Sequence, residues 1–198
     1  MSPGSNHGRR LKARLARKRE ILRAASEVFA ALGYELANMQ VIAESASVTK
    51  ATLYAHFENK AQLFRAVIEY WMEELPEPAL ADPVEGNLRA QLNEVAQALL
   101  RQAGHPAALA LTRMLVRSNW IPQKRWRQRH RPYRLYLEKT LSRCTHCSDP
   151  AQAAAQFLLL AVGSLEPSIV LPVDEARVIA AVDLFVRAYA DLESAVCA

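Results

Sequence analysis

The stretch Ser47 to Phe64, SVTKATLYAHFENKAQLF, sets Thr49, Lys50, Tyr54 and His56 within eight residues. It then restarts with Asn59-Lys60 before an apolar helical pattern. At 100° per residue from Lys50, Leu53 and Phe57 fall together on the inward side, and Ala51, Thr52 and Ala55 fall opposite. Lys50 and Tyr54 flank one edge, His56 the other. A small outward centre lets such a helix approach base edges in a major groove closely. A cation, a phenol and an imidazole on its flanks suit phosphates. The plainer reading of the same wheel is an amphipathic helix with a solvated face.

The neighbouring residues turn this helix into a motif. Ile21, Leu22, Ala25, Val28, Phe29 and Leu32 recur at helical spacing, and Gly33 fits the residue just past a helix end. Asn38 is a helix cap for MQVIAESA. Val48 and Leu53 can staple a third helix capped by Thr49. Asn59 with Gln62 forms a variant capping box for a fourth, whose stripe is Leu63, Phe64, Val67, Ile68, Trp71 and Leu75. The first three helices, with a tight turn between the second and third, make a helix-turn-helix arrangement.

The ordered run IAESASVTKATLYAHFENKAQLFRAV resembles the DNA-binding signature of the TetR family of transcriptional regulators. It does so through Ile42, Ala43, Val48, Thr49, Lys50, Thr52, Leu53, Tyr54, His56, Phe57, Lys60, Leu63 and Phe64. The upstream ILRAASEVFAALGYE (21–35) is similar to that family's first helix, so the resemblance covers roughly 18–70. Residues 150–190 faintly resemble the AefR-like subgroup. Two positions depart from the pattern. The turn residue, usually Gly, is Ser47, which would cost on the order of 1 kcal/mol if φ must be positive. The usual Thr/Ser pair before the second helix is Ala37-Asn38.

Charge is unevenly placed. Of 25 Lys/Arg and 20 Asp/Glu, residues 1–60 hold ten and five, and the remainder is balanced. A basic end on a neutral body indicates a polyanion partner. Residues 1–17 read as a basic, flexible arm, although a helical pattern begins from about Lys12; by resemblance, arms such as RRLKARLARKR (9–19) meet phosphates or a minor groove, with strong salt dependence. The resemblance therefore implies double-stranded DNA as partner. The expected contacts are Arg9, Arg10, Lys12, Asn38, Gln40, Thr49, Lys50, Ala51, Thr52, Tyr54, Ala55, His56 and Lys60.

After Pro76, Pro78 and Pro83 break the chain near 76–86, helices are expected over 87–103, from Pro106 to about Ser118, from Pro122 to about Arg143, over 150–164 and from Asp174 to about Glu193. AQAAAQFLLLAVG (151–163) is apolar nearly all round, and the last helix carries apolar residues on more than one face. One face would pack at home and the other on a twin, giving a homodimer. The expected fold class is all-α, divided into an arm (1–17), a three-helix helix-turn-helix DNA-binding domain (18–64) and a helical ligand-binding and dimerisation domain (65–198).

By resemblance the second domain holds an effector pocket, for which Trp71, Met114, Trp120, Tyr133, Tyr136 and Phe157 are candidate lining. KRWRQRHRPYR (124–134) reads as a solvated basic helix face. Three cysteines are no disulfide framework, and a reducing cytoplasm fits them. Cys144 and Cys147 form a lone Cys-x-x-Cys with only His146 beside it, read as a loop with two thiols rather than a metal or redox site. No secretory leader or membrane span is expected, and neither a cofactor nor an enzyme activity. The reading is a ligand-responsive DNA-binding regulator: a repressor released from a palindromic operator by a small molecule. The alternatives are a regulator without an effector, and thiol or metal chemistry at Cys144 and Cys147.

Overall fold

A computed structural model describes residues 4–83, 87–118, 123–163 and 173–190. It is all-helical there, with nine helices among the described residues: α1 (Gly4–Leu36), α2 (Met39–Ser45), α3 (Lys50–His56), α4 (Lys60–Glu74), α5 (Leu88–Ala103), α6 (Pro106–Leu115), α7 (Gln123–Leu141), α8 (Pro150–Val162) and α9 (Glu175–Tyr189). They form two compact units, Met1–Glu74 with Arg113–Asn119, and Leu75–Thr112 with Trp120–Ala198.

In the first unit α4 and α2 pack on α1, and α3 packs on α2. The inward row of α1, Ile21, Leu22, Ala25, Val28 and Phe29, is buried, as its helical spacing requires. Phe64 of α4 meets Phe29 edge-on at 4.8 Å and Tyr34 at 5.1 Å between ring centres. Arg23 Nε donates to the Tyr70 hydroxyl at 3.0 Å, a second tie between α1 and α4.

α1 departs from expectation at its start. The arm read as flexible is helical from Gly4: its Lys, Arg, Ala and Leu are strong helix formers that continue α1 without a break. At the far end Gly33 stands at φ 76°, ψ 170° and interrupts the helix, with one further turn to Leu36. A Cβ at Gly33 would also lie 3.1 Å from the Arg117 carbonyl oxygen. Both the backbone angle and that close approach require glycine.

In the second unit α8 packs on α7 and α9, and α5 on α7 and α9. Leu92, Val95, Leu99, Tyr133, Leu137, Phe157, Leu158, Val178 and Phe185 share one buried core. Phe157 meets Phe185 edge-on at 5.2 Å. Caps set the helix starts as the sequence indicates. Asn87 accepts from Arg89 N–H, Asp149 from Gln152 N–H and Asp174 from Ala176 N–H. The His105 ring nitrogen Nδ1 accepts from Ala107 N–H before α6. Gly163 closes α8 in the left-handed conformation. The expected starting residue Pro122 and the segment beyond Ala190 lie outside the described residues. Among the described residues, no helix is long and apolar enough to cross a membrane.

Candidate nucleic-acid interface

The turn and caps that present α3 come first. Asn38 Oδ1 accepts from Gln40 N–H at 3.0 Å and Val41 N–H at 2.9 Å, fixing the start of α2. Ser47 follows α2 at φ 52°, the positive angle at which the family pattern has glycine. Thr49 then caps α3, accepting from Thr52 N–H at 3.1 Å. Asn59 accepts from Gln62 N–H at 2.8 Å, and Gln62 reaches back to Glu58 N–H at 2.7 Å. That is the capping box the sequence announces, shifted by one donor.

α3 turns the expected faces outward. Leu53 and Phe57 are buried, while Lys50, Ala51, Tyr54 and Ala55 are exposed, Tyr54 at 45%. Thr52 and His56 are half-buried at the edges. Thr52 is less free than the wheel implies: its hydroxyl lies 2.8 Å from that of Thr49. Arg9, Arg10, Lys12, Asn38, Gln40 and Thr49 are also exposed. The Gln40 amide already donates to Glu44 at 2.6 Å, so it meets a phosphate only by leaving that carboxylate.

Lys60 has a different job from the phosphate contact expected of it. Its ammonium donates to the carbonyls of Tyr34 at 2.7 Å, Glu35 at 3.1 Å and Ala37 at 3.0 Å, and lies 4.5 Å from the Tyr34 ring centre. An ammonium has three N–H donors, and all three are in use. Lys60 therefore caps the open carbonyls at the end of α1.

Two cations missing from the sequence-based set belong beside α3. Burial first, then Arg14 and Lys18, lower the His56 pKa below its ordinary value. Lys18 Nζ also lies 5.9 Å from the Phe57 ring centre. The clue was in the chain: Lys18 and Arg14 extend the inward row of α1 back from Ile21 by three and seven residues, toward the end of α3. Arg14 and Lys18 disfavour a protonated His56 beside them; a phosphate there would offset that repulsion.

The candidate effector residues fall in both units. Trp71 and Met114 belong to the first unit, and Tyr133, Tyr136 and Phe157 to the core of the second; Trp120 lies outside the described residues. Tyr133 donates to Gln102 at 2.6 Å and Tyr136 to Glu94 at 2.6 Å. The basic run of α7 is not the solvated face it was read as. Arg131 and Arg134 are exposed, but Arg129 and His130 are buried. Burial pushes the Cys147 thiol up, the opposite of an activated thiolate.

Comparison with known proteins agrees with this geometry. Residues 21–67 match the family described as bacterial regulatory proteins, tetR family. The HTH-type transcriptional activator FasR of Mycolicibacterium smegmatis is 43% identical over 72 residues, 36% of this chain and 32% of FasR. The chain thus matches about a third of the length of that curated relative. Among solved structures, a TetR transcriptional regulator from Agrobacterium tumefaciens superposes with a TM-score of 0.69 at 22% identity, covering 91% of this chain and 98% of that one. NalD of Pseudomonas aeruginosa, the secondary repressor of the MexAB-OprM multidrug efflux pump, gives 0.61 at 21% identity over 91% and 99%. Residues 21–67 thus match the tetR family of bacterial regulatory proteins, and the fold over most of the chain is the one seen in the Agrobacterium tumefaciens regulator and in NalD.

Proposed function

We propose that the protein is a sequence-specific transcriptional regulator that binds a palindromic operator as a homodimer in the cytoplasm and releases it when a small-molecule effector binds. The observation that carries the DNA-binding part is α3, capped by Thr49, with Lys50, Ala51, Tyr54 and Ala55 outward and Leu53 and Phe57 inward. The seven cations of RRLKARLARKR, on a helix continuous with α1, supply the salt-dependent part of affinity. Support for a dimer comes from α8 and α9, where Leu159, Leu160, Ile179 and Leu184 are exposed. Apolar side chains on two adjoining helices ask for a covering surface. Two copies would set their α3 helices in successive major grooves, about 34–36 Å apart. NalD is a repressor and FasR an activator; we take repression, which the family resemblance implies.

The test is selection of bound sequences from a random DNA pool, followed by titration with salt. A palindromic site bound by a dimer is the expected result. Tyr54→Phe is expected to weaken all sites alike, and Thr52→Ala to relax one or two base pairs per half-site. Binding without sequence preference, or a monomer on DNA, would refute the reading.

A further inference from the structure

Residues 75–83, the irregular strap that follows α4, are held within the second unit by a row of cations on α7 and just beyond it. Arg129 Nη1 donates to Glu77 Oε1 at 3.2 Å, and Nη2 donates to the Pro76 carbonyl. Lys139 Nζ meets Asp82 Oδ1 at 2.9 Å, and Arg143 Nη1 donates to the Pro83 carbonyl at 2.8 Å. Glu94 of α5 takes the Ala81 N–H at 2.9 Å.

Arg129 differs from its neighbours in this row. Its side chain is 8% exposed, whereas that of Glu77 is 85% exposed. Its Nε–H is buried with no acceptor. A guanidinium out of water needs an anion, because a charge left buried and alone is costly. The anion it has stands in water on an irregular segment and loses little by leaving, as exposed carboxylates do. Such a site keeps its cation and exchanges its counter-ion. The neighbourhood adds no competing negative charge from α7. Tyr133, one turn along, has its hydroxyl pushed up to about 12, mainly by burial, and stays neutral.

We propose that Arg129 is the binding site for an organic carboxylate, that Glu77 occupies it as a built-in stand-in, and that the effector displaces Glu77 from Nη1. The proposal deepens the effector-responsive reading and rests on it. The two Nη groups at the end of a guanidinium form a two-pronged fork that matches a carboxylate, of which the single Glu77 contact uses one prong. Leaving Glu77 without its partner loosens the first residues of the strap, which continue the chain directly from α4.

The experiment is calorimetric titration of the full chain with acetate, benzoate and octanoate, against acetamide, benzamide and octanamide. At least one carboxylate is expected to bind and its neutral amide not to. Glu77→Gln removes the internal competitor and is expected to tighten that carboxylate about tenfold, if Glu77 fills the site roughly nine-tenths of the time. Arg129→Gln is expected to abolish binding. Should that variant fail to fold, Glu77→Gln still decides, because an exposed side chain can be changed without harm to the core. Three results overturn the proposal: no carboxylate binds either the parent or Glu77→Gln, the amides bind as well as the acids, or Glu77→Gln leaves the affinity unchanged. A carboxylate that shows the expected gain but leaves DNA affinity untouched upholds the site and refutes the effector reading. An effector that releases DNA without competing with the bound carboxylate does the reverse.

Discussion

Lys60→Gln separates a capping role from a DNA-contacting one. The lysine ammonium satisfies three carbonyls at the end of α1, those of Tyr34, Glu35 and Ala37. Glutamine keeps most of the stem but loses the charge and one donor, and its shorter amide cannot reach all three oxygens. A hydrogen bond from a charged group contributes about 1.5–3 kcal/mol when buried. Lys60 is half-buried, so the three bonds together are worth about 2 kcal/mol rather than their sum. For a chain of 150–250 residues, 1 kcal/mol moves the melting temperature by about 2–4 °C, so a fall of about 4–8 °C is expected. Denaturation followed by circular dichroism measures it. The second readout is the slope of log affinity against log salt on a fixed operator. A lost phosphate contact lowers that slope by about one per half-site. Lys60→Gln is expected to leave the slope unchanged while stability falls. Unchanged stability with a shallower slope would show that Lys60 leaves the cap to hold a phosphate in the complex, and the capping role would be refuted.

Ser47→Gly removes a side chain from a φ of 52°; a gain of about 0.5–1 kcal/mol in unfolding free energy is expected once the looser unfolded chain is subtracted. The His56 pKa is lowered by burial and then by Arg14 and Lys18, so the imidazole favours its neutral form in the free protein, and a phosphate favours the cation. DNA affinity should therefore rise as pH falls below the ordinary histidine value of about 6.5, and His56→Gln should flatten that profile in fluorescence anisotropy. Removing residues 1–17 should weaken binding and flatten its salt slope, because it takes away Arg9, Arg10, Lys12, Arg14 and Arg17. Leu160→Arg on α8 and Ile179→Arg on α9 change exposed positions, so each chain should still fold yet sediment as a monomer at micromolar concentration, since pairing would bury an unmatched charge.

The helix-turn-helix unit was legible because each of its local rules could be read from adjacent residues. Asn38, Thr49 and Asn59 cap helices whose first turns lie two or three residues away, and Gly33 and Ser47 sit where the backbone must turn. What local rules could not reach were pairings across the chain. Lys60 is 26 residues from Tyr34, and nothing in Asn-Lys says which distant carbonyls an ammonium will find. Arg129 looked like one member of a solvated run, because its partners Glu77 and Pro76 lie 52 and 53 residues upstream. Arg14 and Lys18 were missed because nothing in the basic run says which distant ring its cations will flank. A helix that does not break at Lys18 fixes where their side chains go.

The bonds that the sequence hid also explain how the DNA-binding unit holds its shape. Lys60 ties the beginning of α4 to the end of α1, and Tyr70, further along α4, ties its later half to Arg23. Between the two ties Leu63, Phe64, Val67 and Ile68 are buried. A helix fastened at two points along its length with a buried row between them does not slide without breaking all three. In the same unit Arg117 donates to the Ala31 carbonyl, close in sequence to the Gly33 corner that the Arg117 backbone approaches. α1 and α4 are therefore tied to each other at several points within this unit. If the proposed effector acts through α4, it is expected to alter the half-site separation that the proposed dimer spans and to leave the base preference within each half-site as it was, which selection of bound sequences with and without effector would check.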